Sequence, residues 1–420
     1  MLIPYGHSSM RLNLDESTAE IIESDIHSLV RSKSEDDIVK AAMSEPFGGV
    51  TLREMARGKR NAVIIISDHT RPVPSRHILP FMLGELREGN PDIDITLLVA
   101  TGCHRLTAPE ELRAKLGDGI FEREKIVVHD CDRNNVAIGT LPSGAQLVID
   151  RVAAETELLV AEGFIEPHFF AGFSGGRKSV LPGICERGTV LGNHCAKFID
   201  DPCAATGVLD GNPIHIDMLA AARLAKLRYI VNVIINDRKE AVAAFAGDPE
   251  TAHRAGCELL MQYCSTSAGD GGDIVITSNG GAPLDQNVYQ SVKGLTAAES
   301  AARPGATLII CAECADGIGG EGFFRALSEA ESASALLENI RATPQERTVP
   351  DQWQYQILAR ILEKHRVIFV TRPELREEIT AMKMEYAPDA DTAFCMAKSR
   401  YAAPKTVVIP DGVSVVIKHS

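Results

Sequence analysis

The reactive chemistry of this chain is concentrated in histidines, arginines and lysines that stand directly after apolar runs, and in one glycine-rich segment with a lysine at its centre. The runs AVIIIS, ITLLVATG, ELLVAEGFIEP and DIVITSNGGAPLDQN are followed in turn by Asp68-His69-Thr70-Arg71-Pro72, by Cys103-His104-Arg105, by His168, and by Tyr289-Gln290-Ser291-Val292-Lys293. In open parallel α/β sheets the ligand crevice lies beyond the carboxyl ends of the strands, so four such tails point to one shared pocket. Taken singly, each has a plainer use. Asp68 caps a turn or helix as readily as it serves a reaction, and His69 reads as structural or surface.

The densest segment runs from Glu166 through HFFAGFSGGRKSVLPG to Gly192-Asn193-His194. It is not a triphosphate-binding loop, because Arg177 stands where that pattern needs its second glycine and no strand leads directly into it. What it offers is a Gly172/Gly175/Gly176 loop, either a tight turn or a place where backbone N–H groups and Arg177 meet an anion such as a phosphate. Lys178 is a nucleophile if its surround desolvates it and an ordinary solvated lysine if not. By residue type alone His168 and His194 are bases, metal ligands or core histidines. Cys311-x-x-Cys314 has no second pair at finger spacing and reads as core or loop thiols, while Cys185, Cys195 and Cys203 near His194 form an irregular soft-metal set.

The elements that must hold these residues are those of an α/β protein: short β-branched runs alternate with amphipathic stretches. Strands are expected at Ala62–Ile66, Ile95–Ala100, Lys125–Val128, Glu157–Ala161, Tyr229–Ile235, Asp273–Thr277, Thr307–Ala312, Arg366–Val370 and Thr406–Ile409, and helices at Met218–Leu227, Ala252–Tyr263, Ala297–Ala302 and Trp353–Lys364. Continuous apolar runs suit parallel strands covered on both faces. The small-residue seam Ser265–Gly272 marks a domain boundary. The expected architecture is therefore two α/β domains with largely parallel sheets and the site in the cleft between them. Residues 1–266 form the N-terminal domain with the reactive histidines, and 270–403 the C-terminal one. The final strand, within 404–420, is open to a return to the first sheet.

At 420 residues, 45% hydrophobic and 24% charged, the composition is that of an ordinary globular protein, neither disordered nor fibrous. A net charge of −14 argues against duplex nucleic acid or an anionic membrane as partner, and leaves small molecules. No apolar run approaches the ~20 residues of a spanning helix, and the first residues do not read as a signal peptide, so the expectation is cytoplasmic. The ten cysteines lack the spacing of a disulfide scaffold; Cys257, Cys311 and Cys395 sit in apolar runs and read as small core residues with reduced thiols.

Together, DHTRP at 68–72, TGCHR at 101–105, HFFAGFSGGRKSVLPG at 168–183, GNH at 192–194 and YQSVKG at 289–294 make the chain resemble the nickel-dependent lactate racemases over nearly its whole length. The resemblance implies a racemase or epimerase of a 2-hydroxy acid carrying nickel in a pincer nucleotide, pyridinium-3-thioamide-5-thiocarboxylic acid mononucleotide, tethered through Lys178. It implies His194 as the nickel ligand, His104 and His168 as the catalytic pair, and Arg71 and Lys293 as carboxylate binders. Tyr289, Gln290 and Trp353 match further substrate-pocket residues. Asp68 and Phe170 fall on the cofactor side, Phe170 against the pyridinium, with Gly175, Gly176 and Arg177 near the phosphate. Enzymes for carboxylation, sulfur insertion and nickel insertion are implied as assembly partners.

That chemistry agrees with the residue types. The C2–H of a 2-hydroxy acid is too weakly acidic for an unaided side chain, whereas hydride departure with loss of the hydroxyl proton to a histidine avoids a carbanion. Cys103, Cys185 and Cys195 are thiols beside this machinery with no assigned role. The rivals are a binding protein that uses the pocket without turnover, and a zinc- or thiol-dependent hydrolase built on Cys185, Cys195, Cys203 and His194, which requires bound zinc and an unmodified Lys178.

Overall fold

The computed structural model describes residues 1–236 and 238–418. The chain divides into two compact units, one made of Ile26–Asn193 and Asp201–Tyr263, the other of Met1–Asp25, His194–Asp200 and Cys264–Ser420.

The first unit is built on a six-stranded sheet in the order Ala241–Gly247, Leu227–Ile235, Leu159–Phe164, Asn61–Ser67, Asp94–Ala100, Lys125–Val128. All neighbours are parallel except the edge pair, where Ala241–Gly247 runs against Leu227–Ile235. Ala62 through Ile66 are all buried, as a strand covered on both faces requires. Ile64, Ile66, Leu97, Val99, Val160 and Val231 share one core with Ile78, Leu79, Met82 and Leu86 of the helix Ser75–Gly89. From Asn61–Ser67 the chain first adds strands on one side and then crosses to Leu159–Phe164 on the other. This reversal is the switch point at which α/β sheets open a crevice.

The second unit has a six-stranded, all-parallel sheet in the order Glu385–Ala387, Arg366–Val370, Ala302–Cys311, Gly272–Ser278, Thr406–Ile409, Ala19–Ile21. The fold class is thus α/β with largely parallel sheets.

Two features of the expected division change. Thr406–Ile409 does not return to the first sheet; it pairs with Gly272–Ser278 and Ala19–Ile21. The opening residues belong with the second unit as well, because Ile3 and Leu12, both 0% exposed, sit in its core beside Ile276, Ile309 and Val408. An apolar strand buried on both faces needs two neighbours, and the N-terminal segment supplies the second. Cys257 and Cys311 are core residues, as their runs suggest, but Cys395 is exposed on its helix; no disulfide joins any of the ten cysteines among the described residues. No helix among the described residues is long and apolar enough to cross a membrane.

Candidate active site

In the first unit the strand Asn61–Ser67 ends at Asp68, which is 1% exposed. Its Oδ1 accepts from Thr70 N at 3.1 Å and Thr70 Oγ1 at 2.6 Å, a local turn that fixes the carboxylate. Its Oδ2 faces His104 Nδ1 at 2.8 Å. Burial pushes the Asp68 carboxyl up, but the contacts with His104 and Thr70 and the nearby Arg71 outweigh it and hold it below its ordinary value. An ionised Asp68 requires the His104 proton on Nδ1, which leaves the Nε2 lone pair outward on a ring whose side chain is 48% exposed. This is the geometry of an oriented base. Arg71, exposed on the same turn, is braced by Nη1 to Thr70 Oγ1 at 3.0 Å.

His104 belongs to the turn after Asp94–Ala100, and that turn is joined to the lysine-bearing loop: Gly102 N donates to Gly183 O at 2.9 Å. Behind it His129, 0% exposed, bridges Asp150 Oδ2 and Cys185 O, each at 3.0 Å.

After Leu159–Phe164 come His168 and Lys178, with Lys178 Nζ 3.4 Å from His168 Nε2 and 5.8 Å from the Phe170 ring centre. Ala171 N donates to His168 Nδ1 at 3.3 Å. Both ring nitrogens therefore face N–H donors, and a neutral imidazole cannot satisfy an ammonium and a backbone amide without surrendering its own proton. Phe170 is buried and packs edge-on to His168, with ring centres 4.5 Å apart, so it backs the histidine.

The glycines and Arg177 depart from the expected anion contact. Arg177 is 2% exposed and its guanidinium is spent inward, on Phe173 O at 2.8 Å, Ala171 O at 2.7 Å, Gly175 O at 3.3 Å and His215 Nδ1 at 2.9 Å. Gly176 N–H is taken by Asn232 Oδ1 at 2.7 Å. A Cβ on Gly175 would lie 2.7 Å from Phe164 O, and one on Gly176 2.7 Å from the His253 ring, so close packing inside the protein dictates both glycines. These residues build the loop that presents Lys178. Arg177→Met should therefore cost about 3–5 kcal/mol of unfolding free energy, because buried carbonyls lose their donors, and urea titration would measure it.

The same cluster sets an acid sensitivity. Burial, then the Arg177 charge, pulls His215 down to about 3, and the same two causes hold His253 well below its ordinary value. Both are neutral when folded and take protons when unfolded below about 6.5. Stability should thus fall as the pH drops from there toward 3. Urea midpoints at pH 7 and 4.5 should differ, and His215→Gln, which keeps an acceptor for Arg177, should shrink the difference.

In the second unit Tyr289, Gln290 and Lys293 lie on the helix Val288–Ser300, capped by Asn287 Oδ1 to Gln290 N at 2.9 Å. The expected helix began only at Ala297; the residues are on its first turns, and Lys293, four residues after Tyr289 and three after Gln290, neighbours both on the helix surface. Tyr289 Oη donates to Asp351 Oδ1 at 3.0 Å, and burial followed by the Asp351 charge pushes its hydroxyl up. His194 is 5% exposed and meets the Trp353 ring edge-on at 5.0 Å. Gln356 Nε2 holds Ala196 O at 2.9 Å, tying the segment after His194 to the helix that carries Trp353. Asp351, with its left-handed φ of 66°, is the partner of Tyr289 that residue type and spacing did not reveal.

A switch-point α/β sheet bearing a carboxylate-oriented histidine suits acid–base chemistry. The lactate racemase N-terminal domain family matches residues 5–207 and the lactate racemase C-terminal domain family residues 268–417. The chain is 50% identical over 421 residues to a lactate racemase of Thermoanaerobacterium thermosaccharolyticum and 47% identical over 420 residues to one of Lactiplantibacillus plantarum, covering 99% of each chain in both cases. The solved lactate racemase apoprotein of T. thermosaccharolyticum superposes with a TM-score of 0.96 at 49% identity over 100% of both chains. A Thermotoga maritima protein, at TM-score 0.65 and 19% identity over 92% of this chain and 98% of its own, shares the fold. The chain belongs to the lactate racemase family and is a racemase, hence an isomerase.

Proposed function

We propose that the chain racemises lactate or a close 2-hydroxy acid with a nickel-pincer pyridinium nucleotide carried on Lys178, His194 serving as the nickel ligand. The observation that carries the acid–base half of this reading is the buried Asp68 carboxylate, which leaves His104 Nε2 ready for a hydroxyl proton. When bound, the cofactor supplies a hydride acceptor, which no side chain provides.

The residues fit that group. Lys178 stands among the rings of His168 and Phe170, and an acylated lysine nitrogen carries one N–H and no ammonium charge, which eases the donor conflict at His168. His194 offers an imidazole to a metal that binds it well, with Trp353 packed edge-on against it.

The chain's own steps follow. Arg71 takes the substrate carboxylate with a planar guanidinium, and Lys293 adds a point charge. His104 Nε2 accepts the hydroxyl proton of one enantiomer, and Asp68 stabilises the resulting imidazolium. His168 does the same for the other enantiomer, each ring acting as base in one direction and acid in the reverse. Tyr289, Gln290 and Trp353 shape the substrate pocket.

The test is protein made alongside the cofactor-assembly enzymes, examined by intact mass, metal analysis and chiral assay of L- and D-lactate. A mass adduct on the Lys178 peptide, about one nickel per chain and interconversion of the enantiomers would support the reading. Zinc on an unmodified chain would reject it in favour of the hydrolase.

A further inference from the structure

The turn Asp68–Ser75 carries both the carboxylate that orients His104 and the arginine assigned to the substrate, and two of its residues are prolines. Something outside it must fix its position, and two charged residues do so from separate elements. Glu162, in the strand Leu159–Phe164, is 2% exposed and its Oε1 accepts from Ser75 Oγ at 2.7 Å, fastening the far end of the turn. Lys115, in the helix Pro109–Leu116, donates from Nζ to Arg71 O at 2.9 Å, fastening its middle. The two residues are each other's electrostatic partners. Lys115 is half-buried, and burial pulls its ammonium down; of the charges that act on it, Glu162 and Asp68 favour the cation and Arg71 opposes it. Burial pushes the Glu162 carboxyl up, and the same lysine is the largest influence that opposes this and favours the carboxylate; Glu162 Oε2 has no hydrogen-bond partner that would compete for it.

A buried carboxylate with one unpaired oxygen and a desolvated lysine are both costly, and neither fills a place that an apolar side chain could not. What an apolar pair could not do is hold the Arg71 carbonyl and place a positive charge near Asp68. We propose that Lys115, with Glu162 as its main counter-charge, is a positioning residue that sets the backbone of Arg71 and the electrostatics of the Asp68–His104 pair. This rests on the roles given above to Arg71 and His104. Lys115 does not touch the substrate; it acts through those two.

The test uses Lys115→Met, which keeps the stem and removes the donor and charge, with Lys115→Arg as the charge-retaining control. In the cofactor-loaded enzyme Lys115→Met should lower kcat/KM on the order of 10- to 100-fold, chiefly through KM, as expected when the carboxylate-binding residue is displaced. Lys115→Arg should restore much of it. In the apoprotein, NMR titration of His104 gives a readout independent of turnover. Loss of a nearby cation favours the imidazolium, so the His104 midpoint should move up in Lys115→Met and stay near the parent in Lys115→Arg. An unchanged midpoint together with an unchanged kcat/KM overturns the proposal. Should Lys115→Met fail to fold, Glu162→Gln, which keeps the Ser75 contact and removes only the charge, must still lower kcat/KM several-fold, and parental kinetics there overturn it. Absence of racemisation by the loaded parent enzyme would instead strike the reading of the activity, leaving the His104 titration as the test of Lys115.

Discussion

Replacing Lys178 by alanine is expected to leave a folded chain at its unmodified mass with racemisation reduced to background, a loss of at least about 10⁶-fold. The size follows from the division of labour: side chains here can move protons, but none accepts hydride. The variant should fold because the turn around Lys178 is closed by backbone contacts, Lys178 N to Gly175 O at 3.1 Å and Gly183 N to Lys178 O at 3.2 Å, together with the Arg177 side chain. Intact mass, circular dichroism and chiral assay on one preparation decide it. Substantial racemisation by an unmodified Lys178→Ala chain would end the tether assignment.

The second large effect concerns the proton. His104→Gln should lower kcat by about 10²–10⁴-fold, the usual worth of a positioned acid or base. Asp68→Asn should come close to that loss although the ring is intact. Asp68 Oδ1 is committed to two donors from Thr70. An asparagine keeps its oxygen on that side and turns its NH₂ toward His104, which forces Nδ1 to accept and moves the ring proton to Nε2, where a lone pair is needed. His168→Gln should be similarly costly. Steady-state rates in both directions, with KM little changed for Asp68→Asn, are the measurement. Racemisation that survives both histidine substitutions would remove the two-base scheme.

Much of the candidate site in the first unit was legible because strand ends advertise themselves. An apolar run followed by Asp-His-Thr-Arg or by Cys-His-Arg needs no tertiary information to be placed at a carboxyl edge, and the sheet order adds that these edges are neighbours. Other parts were hidden for physical reasons. The helix Val288–Ser300 opens with a β-branched and an aromatic residue and contains a glycine, so its first turns look unlike a helix until the Asn287 cap is seen. Ala241–Gly247 is rich in alanine and glycine, poor strand formers, and is a strand because Leu227–Ile235 offers it an edge. Arg177 looked like an anion binder because inward and outward arginines are identical in sequence; only the carbonyls that surround it tell them apart. Glu162 did leave a signal, an acid inside the apolar run LVAEGF, whereas Lys115 left none in its exposed-looking helix.

The pairing of Ala19–Ile21 with Thr406–Ile409 bears on how the protein is made. The ribosome delivers the first strand of the second sheet on the order of 400 residues before its partner, which at about 5–20 residues per second is a wait of tens of seconds. During that time the first unit has all the strands of its sheet, while the N-terminal segment, with Ile3 and Leu12 destined for burial, has no finished surface to join. An N-terminal fusion or a stalled transcript would therefore burden the second unit, and a C-terminal truncation that stops short of Thr406 would strand both ends of the chain at once.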